Sequence, residues 1–199
     1  MRGRGRGLLK CGSTGGLAPR PTVVVSTAGS RHRRARDQGG HVPQQTIADV
    51  RKWVTVAATP EEAFKVFTER PADWWPPSHV LLKKERAGLA FEPGEGGRYY
   101  EWDVDGNQID WGRILEWVPG RRIVMTWRIN ARWESLPTDD GASEIEVDFE
   151  PVEGGTKVTL AHVKLHQHGE GADRIFQALD GPAPGETLER FEHAVRLSL

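Results

Sequence analysis

The stretch Glu144-Ile145-Glu146-Val147-Asp148-Phe149-Glu150 decides the fold. Apolar side chains occupy every second position and carboxylates the others, the period of a strand with one buried and one solvated face. The pattern recurs on both sides. Val158, Leu160 and His162 share a face downstream, and Ile123, Met125, Trp127 and Ile129 share one upstream. Turn residues punctuate the runs: Pro93-Gly94-Glu95-Gly96-Gly97, Asp105-Gly106-Asn107, Pro119-Gly120 and Gly154-Gly155. Strands are therefore predicted over 52–58, 88–92, 98–104, 109–118, 122–129, 144–149 and 157–165, joined as an antiparallel meander. A sheet with one buried face needs a cover. Leu188, Phe191 and Val195 supply it at helical spacing, with Thr187 as the expected N-cap and a shorter helix over 172–179 just before. Near the start, Thr59-Pro60-Glu61-Glu62 reads as a capping box with proline at the first helical position. The short helix that it opens shows Ala63, Phe64 and Phe67 on one face and ends before Pro71. Strand, helix, several strands and a terminal helix make an α+β pattern, a curved antiparallel β-sheet wrapped around a long C-terminal α-helix.

Charge divides the chain in two. Residues 1–45 hold nine of the 27 Lys and Arg but one of the 28 Asp and Glu, leaving 18 basic and 27 acidic residues for the rest. The segment 1–45 is rich in Arg and Gly without an apolar period, so it is expected to be a disordered basic tail, with 46–199 as the folded domain. Its opening Arg-Gly repeat is the part of the chain suited to nucleic acid. The single cysteine, Cys11, excludes an intrachain disulfide. No run approaches the roughly 20 apolar residues of a membrane span, and a cytoplasmic protein with no membrane partner is expected. No phosphate-binding glycine loop or nucleophile elbow is present, which disfavours nucleotide hydrolysis and serine hydrolase chemistry.

A set of short motifs in fixed order resembles the SRPBCC (START/Bet v 1-like) superfamily. The branch is that similar to the C-terminal domain of the activator of heat shock protein 90 ATPase. The motifs are Trp74-Trp75-Pro76 with His79, Gly96-Gly97-Arg98-Tyr99-Tyr100-Glu101, Trp111-Gly112-Arg113-Ile114-Leu115, the run from Pro119 to Trp127, His162, and His168-Gly169-Glu170-Gly171. The resemblance spans about residues 50–197. It implies a helix-grip fold with a hydrophobic cavity between sheet and terminal helix. Relatives commonly carry Gly-Trp before the last helix, where this chain has Gly185-Glu186. The superfamily includes lipid carriers, polyketide cyclases, hormone receptors and chaperone partners, so the fold does not select one activity.

Candidate ligand contacts are Trp75, His79, Tyr100, Trp111, Arg113, Trp127, His162 and Phe191, whereas Trp53 and Trp133 read as peripheral. His162 is the notable polar residue, because alternation places it among Val158 and Leu160 on the buried face. A neutral imidazole there suits a ligand carbonyl or hydroxyl, or general acid–base work, and it also suits a core histidine bonded to backbone. Arg113 faces inward with Trp111 and Leu115 in a regular strand. In the alternative register Gly112, Ile114 and Val118 turn in and Arg113 meets water. Tyr100 and Trp102 are read as the apolar face of their strand. His162 and His166 stand about 13 Å apart in a strand, too far for one metal ion unless the chain turns after Leu165; no metal is expected, and no cofactor.

Three functions fit these residues. The first is binding of a mostly apolar small molecule between sheet and helix, with binding favoured over catalysis. The second is a protein-interaction module with a chaperone-like partner. The third is a cyclase- or hydratase-like enzyme using the same pocket.

Overall fold

The computed structural model describes residues 47–198, so the expected tail lies outside the described residues. Seven strands form one antiparallel sheet: β1 (Val50–Val56), β2 (Arg86–Phe91), β3 (Arg98–Asp103), β4 (Gln108–Val118), β5 (Arg122–Trp127), β6 (Ser143–Val152) and β7 (Gly155–Val163). Their spatial order is β1-β7-β6-β5-β4-β3-β2. The meander runs in sequence from β2 to β7, and β1 then pairs with β7, Val54 opposite Val158. Helices α1 (Pro60–Glu69), α2 (Pro71–Trp74), α3 (Ala172–Asp180) and α4 (Ala183–Arg196) complete the helix-grip fold. No helix among the described residues is long and apolar enough to cross a membrane.

The start of α1 follows from its residues. Thr59 Oγ1 accepts from the Glu62 amide at 3.2 Å, and Glu62 Oε2 accepts from the Thr59 amide at 2.9 Å. Such a cap contributes about 1 kcal/mol. Pro71 ends α1 and at once opens α2, a helix that the sequence does not announce. The terminal helix begins at Ala183, four residues before the expected cap, so Thr187 lies inside it. Leu188, Phe191, Ala194 and Val195 make its buried stripe. Phe191 meets Phe67 at 5.7 Å and Trp74 at 5.9 Å between ring centroids. Phe67 in turn stacks on Trp74 at 4.5 Å. Each such pair adds about 0.5–1.5 kcal/mol beyond the area it buries.

In β1 the inward set is Val50, Lys52, Val54 and Val56. Lys52 is buried because its Nζ donates to the carbonyls of Asp180 (3.3 Å) and Gly181, closing the C-terminal end of α3. Cations favour that end of a helix dipole. Burial lowers the Lys52 pKa, and Asp180 opposes the shift.

Two bulges shape β4. Its pairing slips by a residue against β3 near Tyr99 and Tyr100, and again against β5 between Ile114 and Glu116. Each bulge resets the alternation. Trp111 and Ile114 are consequently both buried, while Leu115 is 43% exposed. Neither register drawn from the sequence holds throughout: Gly112 and Ile114 turn in as the alternative has it, but Trp111 is buried as well. Arg113 lies half-buried, its guanidinium donating to the Gly96 carbonyl at 3.1 Å. Gly112 is needed where β4 crosses Thr126, because a Cβ there would lie 1.9 Å from the Thr126 carbonyl oxygen.

Candidate functional site

A cavity of about 380 Å³ opens between the sheet and the helices. The size is within the range of small-molecule sites. Met125, Trp127 and Ile129 line it from β5 and the residues after it, Ile145 from β6, and Leu160 and His162 from β7. Trp111 closes the wall from β4, with Tyr99 and Phe91 from β3 and β2. The helices contribute Phe67, Trp74, Leu179 and Thr187. The segment 76–85, a strap between α2 and β2, contributes Ser78, His79, Val80 and Leu81.

Most polar groups of the aromatic wall are satisfied inside the protein. Trp74 Nε1 donates to the Phe67 carbonyl at 3.2 Å, and Trp75 Nε1 to the His79 carbonyl at 3.0 Å. The Tyr99 hydroxyl donates to the Thr126 carbonyl at 3.1 Å, and burial pushes its pKa far above the ordinary phenol value. Two groups are different. Trp111 Nε1 and His162 Nδ1 are buried and have no hydrogen-bond partner. An unmet buried polar group costs about 1–3 kcal/mol.

His162 is 6% exposed, and its ring meets the Trp127 ring edge-on at 5.1 Å. Burial, reinforced by His168, Lys52 and His79, holds its pKa down to about 3, so the imidazole is neutral across the physiological range. His168 touches the same indole at 5.7 Å, and its Nε2 shares a 2.8 Å hydrogen bond with Ser143 Oγ. The chain turns at Lys164 (φ 58°) into a 3-10 segment, Leu165–Gly171, which carries His166 and His168 off the strand. His79 on the strap also has a lowered pKa, chiefly through burial and partly through Arg86, with Glu186 opposing.

The strap is fastened by Glu101, which is fully buried on β3. Its Oε1 accepts from the Leu81 amide at 2.6 Å and the Leu82 amide at 3.0 Å. Its Oε2 lies 3.6 Å from Arg86 Nη1, an ion pair longer than a hydrogen bond. Arg86 Nη1 also donates to the His79 carbonyl at 2.9 Å.

Of the eight residues expected at the ligand, Trp75, His79, Trp111, Trp127 and His162 line the cavity. Trp75 and Trp111 meet edge-on at 5.0 Å. Three do not line it. Tyr100 sits on the outer face with Trp102, its ring covered by the Arg98 guanidinium at 4.2 Å. The inward set of β3 is Tyr99, Glu101 and Asp103. Arg113 bonds to the Gly96 carbonyl instead, and Phe191 is sealed in the core among Phe67 and Trp74.

The sequence reading also misplaced Trp133, which lines the cavity while remaining 45% exposed. Its backbone is left-handed, φ 64°. That conformation costs a residue with a side chain about 1–2 kcal/mol. The turn around it is fixed by Asn130, whose Oδ1 accepts from the amides of Arg132 (2.8 Å) and Glu134 (3.1 Å).

With a helix gripped by a seven-stranded sheet and the pocket between them, the family can be stated. The profile described as Activator of Hsp90 ATPase homolog 1-like protein (AHSA1) matches residues 57–190. The chain belongs to this family. Among solved structures, the AHSA1-like chain is similar to an anthrahydroquino-gamma-pyrone synthase complexed with SUM. The two are 68% identical with a TM-score of 0.53, covering 77% of this chain and 99% of that one. A Mesorhizobium loti protein is 16% identical with a TM-score of 0.56, covering 76% of this chain and 99% of its own. A Nitrosomonas europaea protein is 18% identical with a TM-score of 0.52, covering 75% and 95%. The last two share the fold alone. No curated protein matches the chain.

Proposed function

We propose that this AHSA1-like protein binds a flat, oxygen-bearing polycyclic aromatic compound in the cavity and closes a γ-pyrone ring on it. One observation carries the reading: two buried polar atoms, His162 Nδ1 and Trp111 Nε1, lack partners on a wall built mostly from apolar and aromatic side chains. Acceptor or donor atoms of a ligand, or water that a ligand displaces, can meet both groups. The strands bearing these residues, β7 and β4, are separated by β6 and β5. At about 4.8 Å per strand their backbones stand roughly 14 Å apart along the curved wall. Coming from strands that are not neighbours, the two atoms can address two different oxygens of one ligand. The torsion that turns an imidazole or indole ring is soft, so either ring can swing to meet its oxygen. Likeness to a synthase named for an anthrahydroquino-gamma-pyrone, at 68% identity, supports the same reaction type here.

Ring closure joins a ring hydroxyl to the side-chain carbon β to an aryl ketone. On a 1,3-diketone side chain the hydroxyl gives up its proton as the new C–O bond forms. That proton ends on the attacked carbonyl oxygen; the resulting hydroxyl leaves as water with one hydrogen of the CH2 between the two ketones, the ring C=C forms, and nothing is oxidised or reduced. With its pKa near 3, His162 is a poor proton acceptor. Its role is that of a neutral donor, Nδ1–H to the aryl ketone oxygen where negative charge develops. Trp111 Nε1–H, which can only donate, holds a second oxygen. Apolar walls keep water from competing for these bonds.

Anaerobic incubation with a 1-hydroxyanthrahydroquinone bearing a 1,3-diketone chain at its 2-position tests the reading, with products followed by mass spectrometry. The protein is expected to accelerate formation of a product lighter by one water. His162→Gln should slow it by about 100-fold, the scale of one lost oxyanion donor. Absence of acceleration, or a His162→Gln variant as fast as the parent, overturns the proposal.

A further inference from the structure

We infer that Trp133 forms a second aromatic subsite at the cavity mouth, where its indole stacks on the end rings of a flat polycycle too long to be enclosed. The inference rests on the cavity reading above and adds the size class of the ligand. Trp133 lines the cavity yet is nearly half exposed, and Val80 of the strap is also both cavity-lining and exposed. Large apolar side chains from two separate segments therefore meet water at this one pocket. Burial would normally remove them from it.

The local backbone gives no reason for an indole at this position. The residue takes φ 64°, which glycine adopts freely and a bulky residue does not. The turn nevertheless holds it rigidly. The Trp133 amide donates to the Asn130 carbonyl at 2.9 Å. Glu134 Oε2 accepts from Asn130 Nδ2 at 3.0 Å and from Arg132 Nε at 2.8 Å. An unfavourable conformation that its surroundings over-determine is a mark of function rather than of folding need. The inner edge of the indole meets Trp127 at 6.2 Å, and Trp127 meets His162 at 5.1 Å. A chain of edge-to-face contacts, at 68° and 72° between ring planes, thus runs from the mouth to the unpartnered imidazole. A fused ring system lying along it would place one end at His162 and the other on Trp133.

The two probes are 1,8-dihydroxyanthraquinone, with three linear rings, and 1-naphthol, with two; their affinities are measured by calorimetry for the parent, Trp133→Gly and Trp133→Phe. Glycine removes the indole and accepts the backbone conformation, so the relieved backbone cost offsets the lost edge contact with Trp127 and the unfolding midpoint of Trp133→Gly should stay close to that of the parent. That variant should lose about tenfold in affinity for the anthraquinone, a typical stacking contribution. It should hold 1-naphthol within about twofold, and Trp133→Phe should keep most of the anthraquinone affinity. Anthraquinone affinity unchanged in Trp133→Gly overturns the subsite and leaves the cavity reading standing. Equal loss of both probes, or a lowered midpoint, also overturns it, because the indole would then serve structure. A parent protein that binds neither probe overturns both readings.

Discussion

His162 occupies an inward strand position between Ala161 and Val163 on β7, in register with Val50 on one side and Ile145 on the other. Placing an imidazole there ties stability to pH. The folded-state pKa is about 3, whereas an unfolded histidine titrates near 6.5. Between those values the unfolded chain binds a proton that the folded one refuses. Stability is therefore unaffected above about pH 6.5 and falls as the pH drops from there towards 3. Between pH 7 and pH 5 the loss amounts to about 2 kcal/mol. His162→Gln should shed this dependence, so its urea midpoint should drop less than the parent's over the same interval. His79 and His168 are shifted in the same direction in both proteins and cancel in the difference. Equal drops would contradict the burial of a neutral His162. The position was legible in the sequence, because strict alternation through Val158 and Leu160 fixes its face. Its missing partner was not legible, since that depends on every side chain around it.

At the scale of elements, legibility followed the regularity of the strand. β6 alternates from Ser143 to Phe149 and β7 from Gly155 to Leu160, and over those spans their buried faces are those read from the sequence. β4 carries two bulges, and neither trial register holds throughout. β3 misled for a different reason. Its inward set contains two carboxylates, while aromatic rings lie outside. Asp103 accepts from the amides of Asp105 and Asn107 in the adjacent turn. Glu101 serves amides some twenty positions earlier, a non-local bond that no local period announces. Glu101 therefore decides the order of the strap. Glu101→Ala leaves the Leu81 and Leu82 amides without their acceptor and Arg86 with the His79 carbonyl alone, and should cost about 2–3 kcal/mol. Glu101→Gln retains an acceptor and should cost less. Hydrogen exchange at Leu81 and Leu82 should quicken strongly in the alanine variant and modestly in the glutamine one. Unchanged protection in both would show that the strap is held by other contacts.

The whole molecule is a seven-stranded sheet whose concave face is spent partly on α4 and partly on the cavity. Several of its outer carboxylates are held in ion pairs. Arg122 alone engages Glu116, Glu146 and Asp148, and Lys164 engages Glu144. Carboxylates on the outer face of β6 are thus engaged by neighbouring cations, whereas Trp111 Nε1 and His162 Nδ1 are unmet inside. The fold and its buried face could be drawn from sequence because they follow from period and turn chemistry. The mouth could not, because Trp133 sits in a loop whose course is set by the Asn130 side chain.

The central claim is that His162 and Trp111 face a ligand. It is tested most directly by following the indole N–H and imidazole nitrogen signals by nuclear magnetic resonance as 1,8-dihydroxyanthraquinone is added. The Trp111 Nε1–H and His162 signals should shift as both groups gain hydrogen bonds, while Trp53 and Trp102 on the outer face stay fixed. Leu160→Trp, which fills the cavity, should abolish the shifts while keeping the fold, at a cost of about 1–3 kcal/mol. Shifts confined to outer-face residues, or shifts that persist in Leu160→Trp, would place the ligand elsewhere and contradict the account.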